Sequence, residues 1–149
     1  MVMWDYVVKA GSAWFAGFFP LAEIYVAIPF AMSIGLDAVS AALWAALGNI
    51  TPIILMSLLY DRLTRVAWLR ERLERMVSER FAKAVNRYGT GIILLITPWI
   101  GVWIVAVTAR VMGMRHTRLI AAASLSVTLY AVALAVMLQT GAALLTPTN

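Results

Sequence analysis

The sequence predicts an all-α integral membrane protein, and three observations carry that prediction. Of its 149 residues 63% are hydrophobic and only 13% charged, with a mean hydropathy of +0.88. A soluble domain of this length has too little interior to hide so much apolar side chain. Four stretches hold almost no charge: 10–36, broken only by Glu23, then 38–60, 88–109 and 119–149. Each is long enough to reach across a hydrocarbon core of roughly 30 Å as a helix. Most of the net charge of +5 sits in a single interval, Asp61 to Arg87, with eight Lys/Arg against four Asp/Glu. Between apolar blocks such an excess reports membrane orientation rather than nucleic acid.

The first block runs past the 7 to 15 apolar residues of a secretory signal and lacks a basic start, so it reads as part of the fold. Gly17, Pro20, Glu23, Pro29 and Gly35 interrupt it. Proline deletes a backbone donor and glycine loosens a helix, so this is a broken segment that can turn back on itself. Asp37 is placed to N-cap the span that starts at Ala38, with Gly35 closing the hairpin. The second block, 38–60, is an unbroken span.

The basic interval 61–87 reads as one amphipathic helix on the cytoplasmic surface. Leu63, Val66, Leu73, Val77, Phe81 and Ala84 recur at helical steps, with Arg70 filling the gap in the row. Glu71 with Arg75 and Glu79 with Lys83 add acid-before-base support. Such a helix either anchors the topology and covers the membrane domain or makes an anionic-lipid or regulatory contact.

With that helix inside, a simple outward crossing of the third block would leave Arg110, Arg115, His116 and Arg118 outside, against the positive-inside tendency. Thr97, Pro98 and Gly101 supply the break that lets the block return instead. Each half then consists of a broken segment and a full span, 10–60 and 88–145, within one membrane domain over 1–149. If the first segment dips in from outside, the halves have opposite orientation, the inverted-repeat plan of secondary transporters. Residue identity between the halves is weak, so the repeat rests on layout, and a four-helix bundle with proline kinks is the competing architecture.

Zero cysteines and a single histidine, His116, leave nothing for thiol or metal chemistry, and no metal or cofactor is expected. No phosphate-binding loop, dinucleotide fingerprint or hydrolase elbow is present, so an enzyme is not expected either.

Glu23 is the lone acid inside an apolar block. An ionised carboxylate at the bilayer centre costs roughly 2.5 to 3.5 kcal/mol, so it must pair, reach water or take a proton. It either serves transport that way or caps the helix start after Pro20. Asn49 must find partners for its amide, along a substrate path or as glue to a hairpin tip. Thr51 and Pro52 free backbone carbonyls beside it. Thr97 and Pro98 mark the second break, and Arg110 is the cation nearest it, fit to grip an anionic headgroup or to snorkel. Trp4 and Trp68 read as interface anchors, whereas Trp44, Trp99 and Trp103 sit deeper and face either lipid, core or an aromatic or cationic substrate.

The order Glu23, Ala27-Ile28-Pro29, Gly35, Gly48-Asn49, Pro52, basic connector, Tyr88-Gly89 and Thr97-Pro98 resembles the small multidrug export family of prokaryotic membrane proteins. The resemblance covers roughly residues 20 to 135, and by it Glu23, Pro29, Asn49 and Pro98 are carried over as functional positions. That family is distantly similar to DedA-like proteins, for which paired re-entrant hairpins and proton-linked movement of lipid or amphiphile are proposed. One departure stands out: the family's polar glycine run after the second-half proline, here Pro98, is Trp99-Ile100-Gly101-Val102-Trp103 in this chain. The resemblance implies a multi-pass secondary transporter of the inner membrane, working by alternating access with Glu23 carrying a proton or another cation. Its partners would be the lipid bilayer and a small amphiphilic substrate or lipid headgroup, with no nucleic acid. So few spans also imply a homodimer or larger oligomer. A lipid or lipid-phosphate translocase and a non-transporting assembly subunit are the alternatives.

Overall fold

A computed structural model describes residues 2–145 of the chain, in which every regular element is a helix. In order they are α1 (Val2–Phe18), α2 (Glu23–Ser33), α3 (Ala38–Leu63), α4 (Ala67–Arg75), α5 (Glu79–Tyr88), α6 (Ile92–Ile100), α7 (Val102–Val111) and α8 (His116–Leu145). The last residues of the fourth block, 146–149, lie outside the described part.

Two helices are long and apolar enough to cross a membrane: Ala38–Leu63, and His116–Gly141 within α8, each of 26 residues. At 1.5 Å rise per residue each reaches about 39 Å. Along α3 the residues Val39, Leu43, Leu47, Ile54 and Leu58 are exposed, and along α8 Leu125, Leu129, Val132 and Val136 are. Apolar stripes of that length facing outward suit lipid and not water. α1 has 17 residues, and three apolar helices are shorter still: α2 has 11 residues, α6 nine and α7 ten. Each of these three is about 14 to 17 Å long, half a hydrocarbon core.

The described chain falls into two compact units. One holds 2–49 with 128–145 and the other holds 50–127, so the boundaries lie inside α3 and α8 and not between the sequence halves.

In the first unit α1 begins at Val2, well before the apolar block that starts at residue 10. Asp5 and Lys9 explain the extension: they pair at 2.7 Å across one turn and carry the helix through its charged start. Pro20 disfavours helix at the residue before it, and α1 stops at Phe18. The chain then turns and α2 folds back along α1. α3 crosses α1 at backbone contact distance. A Cβ at Gly17 would strike the Ala45 carbonyl, and one at Gly48 the Trp14 carbonyl. Ala10 and Ala13 on α1 and Ala41, Ala42 and Ala45 on α3 are buried as well; small residues allow close helix approach.

In the second unit α7 is the central rod, buried at Val102 and continuously from Val105 to Ala109. The basic interval covers it as two helices rather than the single one expected. Ser78 breaks the run: its hydroxyl caps α5 by accepting from Phe81 N at 3.3 Å, and its own amide donates to Thr108 Oγ1 on α7 at 3.0 Å. Leu73, Phe81 and Val85 turn inward. Val66, expected in the apolar row, is 52% exposed because it is the extended residue that precedes α4. Of the two acid-before-base pairs, Glu79 and Lys83 approach to 3.9 Å, while Arg70 pairs with Glu74 at 3.7 Å.

Candidate functional site

The two interrupted helices are the places where backbone polarity is left over, and each is handled by a side chain from a long helix. Gly17 lies in the last turn of α1, where carbonyls have no helical donor. Its oxygen accepts from Asn49 Nδ2 at 2.9 Å, in the buried seam. Asn49 thus ties α3 to the end of α1. In the second unit Pro98 has no amide to give to the carbonyl of Leu94, four residues back. That oxygen accepts from Ser126 Oγ on α8 at 2.7 Å. Thr97 is fully buried and donates its hydroxyl to Ile93 O at 2.6 Å, within its own helix. Ser126 is the residue sequence reading missed; a lone serine in an apolar span shows no partner until the fold supplies one.

The breaks themselves are alike. Gly101 separates α6 from α7 with a φ of +98°, open to glycine and costly for other residues. Glu23 opens α2 with a φ of +45°, and among the described residues no other side-chain-bearing residue has a positive φ. The interval from 23 to 101, 78 residues, also separates Gly35 from Gly113. Those two glycines stop α2 and α7 with the same bond pair: Leu36 N to Ala31 O and Gly35 N to Met32 O, against Met114 N to Ala109 O and Gly113 N to Arg110 O. This is a Schellman stop in both cases. The buried positions of α2, Ile24, Ala27, Ile28 and Ala31, have buried counterparts at the same interval, Val102, Val105, Ala106 and Ala109. Further along, Ala41, Ala45 and Asn49 correspond to buried Leu119, Ala123 and Val127.

Glu23 is half-buried at the start of α2. Phe19 and Ala22, just ahead of it, line an apolar groove of about 670 Å³ along the α1–α2 hairpin, together with Phe15, Val26 and Phe30. Pro29 lies inside α2 on its exposed face, away from Ile24, Ala27 and Ile28. Asp37 caps α3 as expected, accepting from Val39 N and Ser40 N at 3.0 Å each. The Ser40 hydroxyl and amide hold its carboxyl below the usual carboxylate range. Glu23, Pro29 and Asn49 fall in the first unit, Thr97, Pro98 and Arg110 in the second.

Arg110 lies in the last turn of α7 with a side chain only 12% exposed. Both fork nitrogens are engaged: Nη1 with Met114 O at 2.8 Å, and Nη2 with the two Asp61 oxygens at 3.0 Å each. The guanidinium lies 5.4 Å from the Tyr60 ring centroid. It therefore fastens the end of α7 to the end of α3. Trp99 is 77% exposed, on the outside of α6, which leaves it facing surroundings rather than an internal cage. Among the described residues no group of His, Cys, Asp and Glu is arranged to hold a metal ion.

The sequence model of one protein family, described as Putative small multi-drug export protein, matches residues 23–133. The chain belongs to this family. The match opens at Glu23 and closes inside α8, so it contains both glycine-stopped helices, the Ser126–Leu94 tie and the Asn49 that bonds to Gly17. The family is one of export proteins and not an enzyme class. Together with two helices of spanning length, membership makes the chain a membrane protein. No curated protein and no solved structure matches the chain.

Proposed function

We propose that the chain is a secondary transporter that moves small or amphiphilic compounds by alternating access, with Glu23 taking up and releasing a proton as the site changes sides. The observation that carries this reading is the backbone of Glu23. At φ +45° a glycine would be relaxed, and the corresponding place in the second half is indeed a glycine, Gly101. A left-handed conformation costs a side-chain-bearing residue roughly 1 to 2 kcal/mol. Strain of that kind concentrates where function requires it. Here it is retained for a carboxylate inside an otherwise uncharged block, next to an apolar groove that suits the hydrocarbon part of an amphiphile.

The half-core lengths of α2, α6 and α7, followed in each half by a helix of spanning length, support two re-entrant segments and two spans in an inverted repeat. The family's export role supports the same reading. In a prokaryotic inner membrane the basic connector faces the cytoplasm. Two spans enclose too little to form a pathway alone, so the working unit is a homodimer or larger assembly.

The test is proton-linked flux in proteoliposomes for Glu23→Gln and Glu23→Gly. Gln keeps the shape and removes the titration; Gly relieves the backbone as well. Both variants should lose coupled flux, and Glu23→Gly should unfold at a higher temperature in detergent than the parent. Undiminished coupled flux in Glu23→Gln removes the carboxyl from the mechanism.

A further inference from the structure

We propose that the α4–α5 connector is a docking surface for the anionic headgroup layer of the bilayer that holds the chain, an inference that rests on the membrane assignment and not on transport. The inner face of the connector is already used, since Leu73, Phe81 and Val85 are buried and Ser78 is bonded to Thr108 on α7. The outer face combines cations with exposed rings. Trp68 is 64% exposed with the Arg72 guanidinium 5.8 Å from its centroid, and Tyr88 is 62% exposed with Arg87 at 5.3 Å. Arginine is weakly hydrated and stacks on aromatic faces, while Trp and Tyr favour the headgroup level, so each pair presents an anion-binding head beside an interfacial ring.

On α4, Trp68, Arg72 and Arg75 line an open cleft of about 310 Å³ together with Glu71 and Met76. Among the described residues Arg72 and Arg75 have no carboxylate within ion-pair distance, whereas Arg70 and Lys83 do. The place of α4 in the chain selects the occupant. Three residues, 64–66, separate it from the end of the α3 span, a reach of about 10 Å even when extended. Cations tethered that closely to a span meet the phosphates of its own membrane surface before any soluble anion.

The chain has no cysteine, so Ala67→Cys accepts a single nitroxide at the exposed start of α4. The labelled protein is reconstituted in phosphatidylcholine vesicles with and without phosphatidylglycerol, and its accessibility to an aqueous paramagnetic quencher is measured. Phosphatidylglycerol should shield the label, and added salt should reverse the shielding. Arg72→Gln with Arg75→Gln should weaken the response to phosphatidylglycerol by roughly fivefold per arginine removed. Arg72→Lys with Arg75→Lys should retain most of it, and that pair keeps the test valid if the Gln variant unfolds. Equal accessibility in the two vesicle types, or an unchanged response in the folded Gln variant, overturns the proposal. So does shielding by inorganic phosphate in detergent, which would mark a site for a soluble anion.

Discussion

The Ser126 hydroxyl donates 2.7 Å to the carbonyl of Leu94, the one group in α6 that would have received an amide from residue 98 had that residue not been proline. In lipid no water replaces a missing donor, so a helix can be broken only where another element satisfies the freed carbonyl. Ser126→Ala should therefore destabilise the protein by about 1 to 3 kcal/mol. Pro98→Ala restores an amide donor, so most of that cost should vanish when the two changes are combined. Unfolding in detergent of the single and double variants reads the coupling. Simple additivity would show that the serine does not serve the proline.

The α1–α3 crossing makes a sharper contrast among glycines. Gly17 and Gly48 face backbone carbonyls of the opposite helix, so an added methyl cannot be absorbed by a side chain moving aside. Alanine at either position should cost about 1 to 3 kcal/mol by overpacking, and should also loosen the Asn49 bond to Gly17. Gly11, in the same helix α1 as Gly17, has open space around it. Gly11→Ala should stabilise by about 0.5 to 1 kcal/mol through helix propensity. Thermal midpoints of the three variants test the ranking, and a neutral Gly48→Ala would mean the helices do not meet where described.

What the residues disclosed on their own followed from local chemistry. Gly35 as a stop, Asp37 as a cap and Gly101 as a break depend on a few neighbouring positions, and the two long apolar helices on their hydropathy alone; each of these is present in the structure. The start of α1 was hidden because hydropathy ends at Lys9, whereas the helix continues on an ion pair with Asp5. The connector read as one helix because its periodicity runs on through Ser78; only the Thr108 hydroxyl on α7, thirty residues away, makes the break there worthwhile. Ser126 and the fastening role of Arg110 were illegible for the same reason, since Leu94 and Asp61 are partners that folding brings to them. The positive φ of Glu23 has no local signature at all.

Asp37 sets an acid limit. Its carboxyl sits below the usual range because the ionised form accepts from Ser40 and Val39. A group lowered in the folded state contributes stability that is present above its unfolded pKa and lost as pH falls through the folded value. The start of α3 should therefore loosen on acidification below the ordinary carboxylate range, and not near neutrality. Asp37→Asn keeps an acceptor for the cap and should flatten this dependence. Hydrogen exchange at Val39 and Ser40 as a function of pH reports it, and an unchanged profile in the Asn variant would assign the acid sensitivity elsewhere.

The Arg110–Asp61 pair is lopsided, with side chains 12% and 76% exposed. Taking away the exposed partner strands the buried one, whereas taking away the buried one returns a carboxylate to water. Asp61→Asn should therefore destabilise by about 1 to 3 kcal/mol, the lower end reflecting solvent screening on the Asp61 side. Arg110→Met in that background should recover much of the loss, because an apolar chain of similar length fills the same space without a charge to compensate. The Tyr60 face and the Met114 carbonyl are not enough to replace the carboxylate, since one is a weak partner and the other carries no full charge. Unfolding in detergent of Asp61→Asn, Arg110→Met and the double variant decides the matter: a double variant less stable than Asp61→Asn alone would show that the guanidinium holds α7 by its other contacts.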